Sequence, residues 1–184
     1  AVRENGFTQV YTPKIGAAGA EGGAELFKVR YFEKDAYLAQ SPQLYKQILM
    51  STGLDRVFEI GPAFRAENSN TNRHVTEFIS FDGEMSWIEN EEQVMAMIEE
   101  IIDHVLTGLK EKGAKQLELL GKEINVPARP YPILTYSECL KIVNDGGLDL
   151  KDGDDLGTDG EKIKMVRQRE YGRGEYLTPF EGIL

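Results

Sequence analysis

Cysteine is nearly absent from this 184-residue chain. With Cys139 alone, no disulfide can form within it and no thiolate cluster can hold a metal, so a reducing compartment, the cytoplasm, fits. Missing too is any apolar run near the roughly twenty residues that span a bilayer. The opening AVRENGF has neither the basic nor the apolar stretch of a secretory leader. It also lacks an initiator Met, which suggests a piece beginning inside a larger gene product. Positive charge is in deficit: 21 Lys and Arg against 31 Asp and Glu, a net charge of -10. A protein that grips duplex phosphates carries a basic stripe; a general cationic surface is excluded here. The acidity serves solubility and leaves room for an enzyme that meets RNA through a few local contacts. Neither GxGxxG nor GxxxxGK[ST] occurs, so the common nucleotide-binding loops are lacking, as are internal repeats and low-complexity tracts.

What is present suits one folded domain with a real core: 41% apolar and 28% charged residues. Alternating patterns at 7–11 and 26–32 predict strands, separated by a Gly- and Ala-rich segment, 15–25, that must be a mobile or tightly turned loop. A short strand, 36–39, leads into Ser41-Pro42, which predicts a helix capped by Ser41, with Leu44, Ile48 and Leu49 as its apolar face and Gly53 as its stop. Residues 57–67 and 76–87 read as two long strands joined by the polar turn NSNTNRH, hence an antiparallel pair. Asn90 with Gln93 predicts a capping box. The helix it opens has Val94, Met97, Ile98, Ile101, Ile102, Val105 and Leu109 on one stripe and is closed by Gly113. Thr135 with Glu138 opens another, ending at Gly146-Gly147; an acidic Gly-rich loop, 148–161, and a poorly matched tail, 162–184, follow. The expected fold class is α+β, an antiparallel sheet flanked by helices.

Chemistry concentrates in the hairpin. On a strand, Arg65 and Glu67 project to one face, and on the returning strand Thr76 and Phe78 share a face with Glu77 opposite. Such a hairpin can hold an anion in the Arg fork, hydrogen-bond an amine and stack a base on Phe78, while Arg73 and His74 reach out from the tip. The same residues equally suit an exposed hairpin with cross-strand Arg–Glu pairs and a core Phe. Gln43 and Lys46, three apart at a helix start, face the same way. A Lys at that positive end calls for an anion, unless it points to solvent. Asp82, on a strand among apolar neighbours, calls for a cation, since a lone buried carboxylate is costly.

The order of these residues adds a resemblance. FRAE followed by RHVTEF resembles motif 2 of the class II aminoacyl-tRNA synthetases, and GFTQVYTPKI resembles motif 1, a strand ending in a Pro, here Pro13. AQSPQLYKQ and FDGEM resemble the aspartyl-tRNA synthetases of archaeal and eukaryotic type; asparaginyl relatives usually lack the Lys. The likeness covers about residues 6–161. It implies one partial catalytic domain whose substrates are ATP, with Mg2+, L-aspartate and the acceptor end of tRNA. Arg65 would bridge the aspartate carboxylate and the α-phosphate. Glu67 would contact the adenine amine, Phe78 its face, and Arg73 and His74 the outer phosphates. Gln43, Lys46, Glu21 and Asp82 would fix the aspartate, Lys46 pairing its side-chain carboxylate. Glu21, in a loop resembling the family's lid, also suits a solvated loop acid.

The chain departs from the pattern in having no recognisable motif 3, no upstream acidic magnesium ligands and no anticodon-binding barrel, so this chain alone is expected to be weak or inactive. A homodimer through motif 1 is expected, and no membrane association. Two rivals share the fold: a synthetase-like asparagine synthetase with ammonia as acceptor, and a non-catalytic truncated paralogue.

Overall fold

The computed structural model describes residues 1–17, 26–66, 75–157 and 159–163. In chain order its strands are β1 (Thr8–Gln9), β2 (Ile15–Gly16), β3 (Lys28–Tyr31), β4 (Lys34–Leu38), β5 (Arg56–Phe64) and β6 (Glu77–Met85), with α1 (Gln43–Met50) between β4 and β5. All lie in the first of two compact units, Ala1–Val94. They form two three-stranded sheets, ordered β1-β5-β6 and β2-β4-β3.

The long hairpin forms as its alternation predicts. β5 and β6 are antiparallel over nine residues each, with Glu59 opposite Asp82 and Ala63 opposite Phe78. The Arg65 N–H donates to the Thr76 carbonyl at 2.9 Å, carrying the register one step further. β1 departs from an all-antiparallel expectation: it runs parallel to β5, because the chain returns through β2, β3, β4 and α1 before pairing, a crossover long enough for parallel strands. β2 lies at the start of the segment expected to be loop, where Ile15 pairs with Leu38.

One backbone bond extends the β2–β4 pairing and the next joins the two sheets. The Ala39 N–H donates to the Lys14 carbonyl (2.9 Å), and the Phe64 N–H donates to the Ala39 carbonyl (3.0 Å). Among the described residues of this unit, Phe7, Ala36, Val57, Phe58 and Ala63 form the buried apolar core.

α1 begins one residue later than expected, with the Ser41 hydroxyl accepting from the Gln43 N–H at 3.1 Å. After it ends at Met50, Gly53 takes φ +86, a conformation open to glycine. Its apolar face is a correction. Leu44 and Ile48 are about half exposed, at 45% and 52%, and the buried residue is Lys46. Three oxygen acceptors draw that lysine inward, and the helix rotates to suit it.

The second unit, Met95–Leu184, has helices joined by irregular segments and no strand among its described residues. α2 (Glu92–Lys112) starts as predicted, but its box is modified. Asn90 Oδ1 accepts from the Gln93 N–H (3.3 Å), whereas Gln93 Oε1 accepts from the Glu89 N–H (3.0 Å). Its stripe is corrected too: Met97 and Leu106 are buried, while Ile98, Val105 and Leu109 are exposed. α3 (Ala114–Leu120), unforeseen, resumes the helix after Gly113 and ends on Gly121 at φ +60. α4 (Tyr136–Asp145) has the expected complete capping box of Thr135 and Glu138. The acidic segment is irregular over 148–156 and helical over 159–163. The remaining tail lies outside the described residues.

Candidate functional site

Alternation along the hairpin places Val57, Glu59, Gly61, Ala63, Thr76, Phe78, Ser80, Asp82 and Glu84 on one face of the β1-β5-β6 sheet. Arg65 continues that face. Against it lies α1, which contributes Gln43 and Lys46.

Lys46 is 3% exposed. Its ammonium sits 3.7 Å from Asp82 Oδ1 and 3.5 Å from Glu84 Oε2, and donates to the Gly83 carbonyl at 3.3 Å. Gln43 Nε2 donates to the same Glu84 oxygen at 3.2 Å. Gln43 and Lys46 therefore do face one way, Asp82 has its cation, and the lysine has its anions rather than solvent. Glu84 is the member that sequence reasoning missed. It stands two residues from Asp82 on a strand, so period-two alternation alone carries it to the same face.

At the far end of the face the Arg65 guanidinium stands 5.5 Å from the centroid of the Phe78 ring, a cation–π contact. Arg65 is exposed and Phe78 half-buried, so a planar ligand and an anion can be met by neighbouring groups. Glu21, Glu67, Arg73 and His74 lie outside the described residues.

A second charged cluster adjoins the first. Glu59, 2% exposed, accepts from the Thr12 N–H (3.1 Å) and the Thr12 hydroxyl (2.7 Å), and its carboxylate is 2.7 Å from the Lys14 ammonium. Burial alone would push its pKa up. The hydrogen bonds from Lys14 and Thr12, with the Lys14 charge, outweigh that and hold it below the ordinary carboxylate value. Gly61 makes room, since a Cβ there would lie 3.0 Å from Glu59 Oε1. Thr12 and Lys14 flank Pro13, so this cluster ties the segment after β1 to the middle of β5.

The face thus offers a buried ammonium with two carboxylates at one end and a guanidinium beside an aromatic ring at the other. Such a face can meet charged groups of both signs at one end, and an anion beside a planar group at the other. Among the described residues no group of three or more His, Cys, Asp or Glu is arranged to hold a metal ion. No helix there is long and apolar enough to cross a membrane.

Comparison with known proteins gives a concordant result. Residues 1–175 match the family model of the class II tRNA synthetases (D, K and N). An aspartate–tRNA(Asp) ligase of Pyrococcus abyssi is 52% identical over 179 residues, 97% of this chain and 39% of that protein. An aspartate–tRNA(Asp/Asn) ligase of Methanopyrus kandleri is 52% identical over 161 residues, 88% of this chain and 37% of that protein. Among solved structures, the asparaginyl-tRNA synthetase of Pyrococcus horikoshii complexed with asparaginyl-adenylate superposes with a TM-score of 0.81. It is 33% identical, over 90% of this chain and 38% of that one. The chain thus spans about two fifths of the length of these relatives.

Proposed function

The chain belongs to the class II tRNA synthetases (D, K and N), and from that membership we infer that the α1–hairpin face is the aspartate- and ATP-binding part of an aspartate–tRNA ligase. The observation that carries this reading is Lys46: a lysine 3% exposed, held between Asp82 and Glu84, on the face that also presents Arg65 and Phe78.

L-Aspartate complements that array. Its side-chain carboxylate takes Lys46, its ammonium takes Asp82, and Gln43 orients it; a fixed cation distinguishes carboxylate from amide by charge. The α-carboxylate then lies toward Arg65. Its oxygen attacks the ATP α-phosphate, an O–P bond forms as pyrophosphate leaves, and Arg65 neutralises charge on both partners. The adenine stacks on Phe78. Glu67 takes the adenine amine, Arg73 and His74 the outer phosphates, and Glu21 closes over the ammonium; these four assignments rest on the motif resemblance. The terminal hydroxyl of tRNA then attacks the acyl carbon of aspartyl-adenylate and releases AMP. Magnesium accompanies ATP as its counter-ion in this reading. Both compact units are taken as parts of one catalytic domain, and the protein as a cytoplasmic homodimer.

Aspartate-dependent ATP–pyrophosphate exchange by the full-length protein tests the reading. Exchange should require aspartate and be negligible with asparagine, and radiolabelled aspartate should then pass to tRNA. Absence of aspartate-dependent exchange sinks the assignment, and transfer to ammonia in place of tRNA moves it to the asparagine-forming class.

A further inference from the structure

Two carboxylates stand directly opposite each other on the site face, Glu59 on β5 and Asp82 on β6. Facing positions of an antiparallel pair put Cβ atoms about 4.5–5.5 Å apart, and like charges there repel. Each carboxylate has a lysine of its own. Lys46, from α1, serves Asp82 and Glu84, whereas Lys14, from the segment after β1, serves Glu59 at 2.7 Å.

We propose that Lys14 is a specificity-determining positioning residue: by neutralising Glu59 it keeps the ammonium of Lys46 on the Asp82–Glu84 side, where the substrate carboxylate is read. Glu59 is nearly inaccessible to water, so without Lys14 its charge would be buried and uncompensated, a costly condition. Lys46 is the buried ammonium on the same face, and a flexible four-carbon stem lets it move toward an unpaired anion. The aspartate-reading cation would then be misplaced although every residue touching aspartate remained. The backbone reinforces the link. The Lys14 carbonyl holds the Ala39 N–H, two residues before Ser41, whose hydroxyl accepts from the Gln43 N–H at the start of α1, and the Ala39 carbonyl holds the Phe64 N–H beside Arg65. Lys14 thereby bonds to β5 through Glu59 and to the segment leading into α1 through Ala39, without itself lying at the proposed substrate position.

The inference rests on the aspartate reading above, and one set of variants separates the two. In the full-length protein, Lys14→Met should raise the KM for aspartate about tenfold and lower the preference for aspartate over asparagine, with the KM for ATP changed less than about twofold. Glu59→Gln alone keeps the packing and removes the charge to be neutralised, so its aspartate KM should stay within about twofold of wild type. Lys14→Met combined with Glu59→Gln should return the aspartate KM to near wild type and restore the preference for aspartate over asparagine, with the KM for ATP level throughout, a selective effect that general loss of stability would not give. An unchanged KM in Lys14→Met, a tenfold rise in Glu59→Gln, or failure of the double variant to recover overturns the proposal. If Lys14→Met does not fold, Glu59→Gln and the double variant still decide it. Wild-type protein with no aspartate-dependent exchange would instead overturn the reading on which it rests.

Discussion

At the scale of single residues, charge placement does more than hydrophobicity to set this site. Lys46 is the buried residue of α1 while Leu44 and Ile48 beside it are about half exposed. An ammonium out of water is expensive unless paired and hydrogen-bonded, and here two carboxylates and a carbonyl meet it. Replacing Lys46 by Leu removes the cation and leaves Asp82 and Glu84 facing each other across Gly83. The expected outcome is a loss of preference for aspartate over asparagine of at least about a hundredfold in kcat/KM, since the discrimination is one of charge. Competition between the two amino acids in the exchange reaction measures it. A preference that survives the substitution would make Lys46 an internal counter-ion with no part in recognition.

At the scale of elements, the hairpin depends on a glycine. Alanine in a strand ordinarily restricts the unfolded chain and stabilises by about 0.4–1 kcal/mol. At Gly61 the new Cβ would meet Glu59 Oε1 at 3.0 Å, and that oxygen is held by Lys14 and Thr12 and cannot give way freely. Overpacking of this kind costs about 1–3 kcal/mol, so Gly61→Ala should be net destabilising. Urea unfolding should show a lower midpoint at unchanged slope, and a gain in stability would mean that Glu59 is loosely held. The hairpin itself was legible because alternation over nine residues on each side of a polar turn has one economical pairing. α4 was legible because Thr135 and Glu138 state its start in their spacing. The buried side of α1 and the stripe of α2 were not. Periodicity marks which residues share a face, but a lysine with three acceptors can claim the interior ahead of Leu44, and Leu106 can displace Val105. Glu59 escaped notice because its partners, Thr12 and Lys14, are 47 and 45 residues away, a relation fixed by the parallel pairing of β1 with β5.

At the scale of the molecule, the two units carry titrating groups of opposite sensitivity. In Ala1–Val94, Glu59 is held below its ordinary value near 4.5 despite burial, through its bonds to Lys14 and Thr12. A depressed carboxylate contributes stability that is complete above the unfolded value and lost as the pH falls through the folded one. In the second unit, burial first, then the charges of Asp103 and Glu99, push the Tyr131 phenol above its ordinary 10.0, with Arg129 opposing. The Tyr131 hydroxyl is buried without a hydrogen-bond partner among the described residues, while its backbone N–H donates to Glu99 Oε1 at 2.9 Å. A raised phenol contributes stability that is complete below pH 10 and lost as the pH rises through the folded value. Acid should therefore loosen the first unit through Glu59, and alkali the second through Tyr131. The measurement is stability against pH for wild type, Glu59→Gln and Tyr131→Phe. Glu59→Gln should flatten the acid limb and leave the alkaline limb in place. Tyr131→Phe should do the reverse, and because it removes an unsatisfied buried hydroxyl it should cost little stability at neutral pH. If both limbs persist in both variants, neither group governs the pH response, and the ion pair that anchors Glu59 contributes less to the fold than its burial implies.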